Sequence, residues 1–242
     1  MEVHRHATPD DVAGHAADAL LARLAQAQAS GRVASLVLTG GSVARLVHAA
    51  VAKHPDRAMV DWTRVEIWWG DDRFVPADDP ERNAGQAWSD LLRHLPVDPA
   101  RVHTMPAADD GHGSVEAAAR AYGQELRARV GGDQPWFDVL MLGIGPDGHC
   151  ASLFPQRPEV RSSADVLAVH DSPKPPPVRI SLGMSTLGRA EHVMFVATGD
   201  EKAEAVARSV QDEDVLAAPA AGPRGGLSTT WYVDEAAAAR LP

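Results

Sequence analysis

The chain has a single cysteine, Cys150, among its 242 residues. An internal disulfide is therefore impossible, and so is a zinc site built from several thiolates. Positive charge is also scarce: 23 Lys and Arg against 33 Asp and Glu leave a formal charge of −10 at pH 7. Nucleic acid and anionic membranes are held by clustered Lys and Arg, so neither is an expected partner. No apolar run reaches the roughly 18 residues that mark a membrane-spanning helix. The opening "MEVHRHATPDD" lacks the apolar core of a secretion signal. There is no internal repeat, and no linker long enough to require two domains. The expectation is a cytoplasmic protein, a monomer or weak homo-oligomer, with one α/β domain over residues 1–242. If its ligand is an anion, the binding charges must be local, set against an acidic background.

Apolar residues make up 45% of the chain, enough for a substantial core. "ATPDDVAGHAADALLARLAQAQASG" has the pattern of a helix. Thr8 and Asp11 are spaced as a capping box, Pro9 suits the first helical position, and Gly31 ends the segment. Val12, Ala16, Leu20 and Leu24 recur every four residues and form one apolar stripe. "VASLVLT", "VEIWW", "FDVLMLGI", "VLAVH", "VRISL", "VMFVAT" and "TTWYV" read as strands. "VARLVHAAVAKH", "NAGQAWSDLLRHL", "SVEAAARAYGQELRARV" and "DEKAEAVARSV" read as helices. Strands mostly separated by helices imply an α/β fold with a mostly parallel, doubly wound, Rossmann-like sheet and helices on both faces. The connections "HDSPKPPP" and "AAPAAGPRGGLS" carry no helical pattern.

In open sheets of this kind, ligands bind beyond the carboxyl ends of the strands. That rule selects Gly40–Ser42, Gly70–Arg73, Gly143–His149 and Thr198–Lys202. The third of these contains Gly143-Ile-Gly145-Pro-Asp-Gly148, the spacing of a dinucleotide fingerprint. The context does not suit that use. The motif lies past the middle of the chain, Pro155 arrives within seven residues, and no acidic residue ends the next strand. The alternative is a polar turn that presents Asp147 and His149, with imidazole as a base at neutral pH. A blander reading makes His149 the cap of a short helix.

Gly40-Gly41-Ser42, between a strand and a helix, suits a phosphate cradle of backbone amides. It lacks the Gly-Lys-Ser/Thr ending of a nucleotide loop, so ATP is not implied. Lys202 sits at the start of a helical segment, where the helix dipole disfavours a cation unless an anion is near. Arg179 is flanked by apolar strand residues, so it is expected on an edge, in an ion pair or facing a ligand. Asp71, Asp72 and Arg73 follow a strand, bracketed by Trp68, Trp69 and Phe74.

These segments occur together and in order: "LTGGSVARL", "WWGDDRFVPADDPERNAGQA", "FDVLMLGIGPDGHCASLFP", "PPPVRISL" and "VATGDEKAEAV". As a set they resemble the 6-phosphogluconolactonases, from about residue 33 onward. The same scaffold is shared with glucosamine-6-phosphate deaminases. Those enzymes carry a catalytic Glu where this chain has Phe154, and an aromatic residue where it has Arg73. Departures from the lactonase pattern are Val43, Asp72 and Cys150, where Thr or Ser, Glu and Thr are usual.

The resemblance implies hydrolysis of 6-phospho-D-glucono-1,5-lactone without a cofactor or a metal. His149 would be the general base, and Arg73 would serve the oxyanion or the substrate. Asp71, and after it Asp147, would orient His149 or the sugar hydroxyls. Gly40, Gly41, Ser42, Arg179 and Lys202 would hold the phosphate. The alternatives are an amino-sugar phosphate isomerase, a non-catalytic phosphosugar sensor, and Cys150 as a nucleophile.

Overall fold

The computed structural model describes residues 1–130, 132, 135–212 and 214–242. A strand, β1 (Glu2–His6), precedes the first helix, α1 (Pro9–Ala29). The capping box forms as the spacing predicts: Thr8 Oγ1 accepts the Asp11 amide at 3.1 Å, and the Asp11 carboxylate accepts the Thr8 amide at 3.1 Å. Val12, Ala16, Leu20 and Leu24 are all buried. Then follow β2 (Ala34–Leu38), α2 (Ser42–Lys53), β3 (Val65–Trp69), β4 (Asp71–Arg73), α3 (Asn83–Asp90), α4 (Val115–Val130) and β5 (Phe137–Gly143). The chain continues with β6 (Val166–Val169), β7 (Arg179–Leu182), α5 (Met184–Leu187), β8 (Ala190–Ala197), α6 (Ala203–Gln211) and β9 (Ser228–Asp234).

Six strands form one sheet in the order β1-β9-β8-β5-β2-β3, every neighbouring pair parallel. The expected α/β fold with a mostly parallel, Rossmann-like sheet is therefore present. β2 is buried along its whole length and β5 nearly so, which is why both read as continuous apolar runs. Helices α1 and α2 pack on each other, and both also pack on β5 and β8. Among the described residues, no helix is long and apolar enough to cross a membrane.

Three features depart from the sequence reading. "EVHRH" forms a strand, yet it lies at the sheet edge, mostly exposed, and shows no apolar alternation. "DDR" is not a loop but β4, part of a second sheet in the order β4-β7-β6 whose pairs are antiparallel. "VLAVH" and "VRISL" are strands as read, but they belong to that second sheet. Gly70 joins the two sheets. Its amide donates to Leu38 O of the parallel sheet at 2.9 Å, while its carbonyl accepts from Leu182 N of the antiparallel one at 2.8 Å.

From β2 the chain steps outward to β3 on one side, and later to β5, β8 and β9 on the other. The direction of winding reverses between β2 and β5. A crevice opens there because successive connections leave in opposite directions.

Candidate active site

A cleft of about 260 Å³ occupies this crevice. Its walls include Gly40, Gly41, Ser42, Asp71, Arg73, His149, Arg179 and Lys202. Eight of the nine site residues expected from the sequence thus meet in one hollow. The ninth, Asp147, stands one layer back, bonded to His149.

The turn after β5 explains the glycine spacing. His149 Nδ1 lies 2.5 Å from Asp147 Oδ1. A Cβ added to Gly145 would fall 2.0 Å from His149 Nδ1 and 2.4 Å from Asp147 Oδ1. Gly145 is therefore glycine because the imidazole and carboxylate occupy the place of its side chain. The turn is closed by Gly145 N donating to His149 O and Gly148 N donating to Gly145 O, both at 2.9 Å. Turns follow it, not a helix, so His149 caps nothing and the dinucleotide use is excluded on geometry. Buried Phe154 lies against the His149 ring, with centroids 4.6 Å apart.

Burial opposes charge on Asp147, but the hydrogen bond and charge of His149 outweigh it and hold the carboxyl down to about 2. A carboxylate only accepts hydrogen bonds, so Nδ1 carries the proton and Nε2 is left as the basic nitrogen. The sequence reading put Asp71 ahead of Asp147 for orienting His149 or the sugar hydroxyls. The residue that bonds to His149 is Asp147. The Asp71 carboxylate accepts from Ser152 Oγ at 2.7 Å and from Asn83 Nδ2 at 3.3 Å.

Alternation along β4 sorts its three charges. Asp71 and Arg73 line the cleft, and Asp72 points away. There Asp72 pairs with Arg82 at 3.1 Å and accepts the amides of Asn83 at 2.6 Å and Ala84 at 3.2 Å, at the start of α3. Burial raises the Asp72 carboxyl, against the pull of Arg82. Arg73 Nη1 donates to the Glu81 carbonyl at 2.5 Å, which fixes the guanidinium at the rim. Asn83 also abuts Gly40: a Cβ there would meet Asn83 Oδ1 at 1.9 Å. The glycine turn after β2 and the acidic strand β4 are locked together through this one amide side chain.

No side chain caps α2, and its first backbone bond is Arg45 N to Gly41 O at 3.1 Å. The amides of Ser42, Val43 and Ala44 precede that bond, so the helix leaves them for another acceptor. All three residues line the cleft. Lys202 reaches the cleft from the 3-10 turn Asp200–Lys202 just before α6, not from the helix itself. Burial, then the nearby Lys174, lowers its ammonium. Arg179 is also buried, which lowers its guanidinium, with Asp71 opposing. Its Nη1 lies 4.0 Å from Asp71 Oδ2, and the guanidinium stands over the Phe154 ring at 5.9 Å.

Lys174, Asn83 and Ser152 escaped the sequence reading. Lys174 lies in the proline-rich connection, where only its single charge marked it. Asn83 and Ser152 became visible once β4 was seen to run beside them. Cys150 is fully buried, and burial pushes its thiol far up, which rules it out as the nucleophile. Among the described residues, no cluster of three or more His, Cys, Asp or Glu side chains is placed to hold a metal ion.

The model of a family described as "Glucosamine-6-phosphate isomerases/6-phosphogluconolactonase" matches residues 7–231. A 6-phosphogluconolactonase from Streptomyces coelicolor is 48% identical over 98% of this chain and 93% of its own length. The human 6-phosphogluconolactonase is 40% identical over 86% of this chain and 80% of its own. A solved 6-phosphogluconolactonase from Trypanosoma brucei superposes with a TM-score of 0.85 at 25% identity, covering 100% of this chain and 98% of that one. A monomeric glucosamine-6-phosphate deaminase superposes nearly as well, with a TM-score of 0.82, over 99% of this chain and 100% of that one. At 19% identity that likeness is one of fold alone.

Proposed function

The chain belongs to the family of glucosamine-6-phosphate isomerases and 6-phosphogluconolactonases, and we infer that within it the chain opens 6-phospho-D-glucono-1,5-lactone to 6-phosphogluconate. This is a lactone hydrolysis of the oxidative pentose phosphate route. The observation that carries the reading is the His149–Asp147 pair, with its basic nitrogen free, in the same cleft as the uncapped start of α2.

In the proposed mechanism the phosphate, with roughly −1.5 to −2 charges at neutral pH, rests beside Gly40 and Gly41 on the amides of Ser42, Val43 and Ala44. Lys202 and Arg179 supply countercharge. His149 Nε2 takes a proton from a water at the lactone carbonyl while Asp147 holds the ring and steadies the imidazolium. The tetrahedral oxyanion forms near Arg73, whose anchored guanidinium meets the charge without reorganising. The ring oxygen leaves when imidazolium His149 returns the proton to it. Water is consumed, the acyl C–O bond breaks, and the acid and hydroxyl remain. Asp71, held by Ser152 and Asn83, is suited to bind a sugar hydroxyl.

Phe154 disfavours the deaminase reading. The catalytic carboxylate implied for the deaminases has been replaced by a ring packed on His149. We take the chain to act in the cytoplasm as a monomer or weak homo-oligomer, with residues 1–242 as one working unit. Sedimentation of the purified chain tests the oligomeric state. The function is tested by oxidising glucose-6-phosphate to the lactone and timing acid formation with and without this chain, with spontaneous opening subtracted. Acceleration is expected. No acceleration, or ammonia release from glucosamine-6-phosphate, overturns it.

A further inference from the structure

Lys174 is an exposed residue of a long connection, and such lysines usually stay in solvent. This one lines the cleft. Its backbone is held on both sides. The carbonyl accepts from Arg179 Nη2 at 2.9 Å and from Ser172 Oγ at 2.9 Å, and its amide donates to Ser172 Oγ at 3.3 Å. Arg179 binds the two following carbonyls as well, Pro175 O through Nη2 at 3.3 Å and Pro176 O through Nε at 3.1 Å. Ser172 N closes the loop onto Pro177 O at 2.9 Å. A buried guanidinium thus spends most of its donors on the loop that carries the lysine.

Lys202 enters the same cleft from the β8 crest. Neither lysine forms an ion pair among the described residues. They sit close enough that Lys174 opposes the charge on Lys202. Glu201 and Asp147 offset part of this charge, yet two ammonium groups facing one cleft still favour an anion held between them. The lactone carbonyl carries charge only transiently. The phosphate carries nearly two charges throughout, so it suits a pair of cations.

We propose that Lys174 is a further substrate-binding residue that, with Lys202, closes on the substrate phosphate, and that Arg179 positions it by fixing its loop. The proposal rests on the lactonase reading given above. It makes Lys174 a determinant of specificity for phosphorylated over plain lactones. Arg179 then serves the phosphate twice, through its own charge and through the carriage of a second cation.

The test uses Lys174→Ala and Lys174→Arg in the full chain. In Lys174→Ala, KM for the phosphorylated lactone should rise roughly 10- to 100-fold, as for loss of a charge-assisted bond, while kcat stays within about twofold. Competitive inhibition by inorganic phosphate should weaken by a similar factor, and Lys174→Arg should restore most of both. An unchanged KM and phosphate inhibition, or a loss confined to kcat, overturns the proposal. Calorimetric binding of 6-phosphogluconate to both variants and to the unaltered chain separates the two claims. If the unaltered chain binds this product but accelerates no hydrolysis, the lactonase reading fails. A loss of binding in Lys174→Ala would still uphold the role of Lys174 toward phosphate.

Discussion

Arg73 and Arg179 stand directly opposite each other in the β4–β7 ladder, two guanidinium-bearing positions on facing strands. Like charges so placed destabilise a sheet. Asp71 offsets part of the repulsion from 4.0 Å away, and a bound phosphosugar would offset more. Saturating 6-phosphogluconate should therefore stabilise the fold, by about 2.7 kcal/mol at a hundred times its Kd. Thermal unfolding with and without the compound measures this, and the shift in Tm should shrink as salt is added.

His149→Ala should lower kcat by roughly 10²- to 10⁴-fold, the usual worth of a general base. Asp147→Asn should lower kcat less, because the ring keeps a polar neighbour and loses only the anion that steadies its charged form. Asp147 itself is depressed to about 2. Its folded value lies below the unfolded one of about 3.9. The stability it contributes is thus complete above pH 4 or so and is lost as pH falls toward 2. Steady-state rates and acid unfolding of the two variants check both statements.

Gly145→Ala places a methyl group where His149 Nδ1 and Asp147 Oδ1 now sit. The pair must move, and a displacement of about 1 Å at a reacting group can cost on the order of 100-fold. The expected outcome is a collapse of kcat with a modest change in Tm. Wild-type turnover by this variant would show that the close approach has no bearing on catalysis.

His48 is buried on α2 with neither ring nitrogen hydrogen-bonded, and burial lowers its imidazole to about 4. Unfolding frees it to take up a proton at an ordinary value of about 6.5. Its folded value is the lower one, so stability falls as pH drops from about 6.5 and levels off near 4. The loss amounts to roughly 3 kcal/mol across that window. His48→Leu should flatten the stability profile there. Urea unfolding at a series of pH values tests this.

The helix α1 could be read from the sequence because its signals are local: a capping box, a proline and an apolar stripe all lie within one segment. The buried parallel strands could be read because they are almost wholly apolar. β1 was hidden because an exposed edge strand needs no apolar alternation. β4 was hidden because three charged residues carry no strand pattern until β7 gives them partners. The site followed the same division. His149, Arg73 and the glycine turn stand at strand ends, where topology alone predicts ligands. The preference for Asp147 over Asp71 depended on side-chain aim. Lys174 depended on how a proline-rich loop folds back, and spacing along the chain encodes neither.

β1 occupies the sheet edge, and its one neighbour there is β9. The earliest of these strands thus finds its ladder only in the latest, with Glu2 opposite Thr230. Until β9 docks, β8 offers a bare flank along which crowded, unfinished molecules exchange strands. A version cut ahead of β9 should therefore yield sticky fragments and not a shortened enzyme.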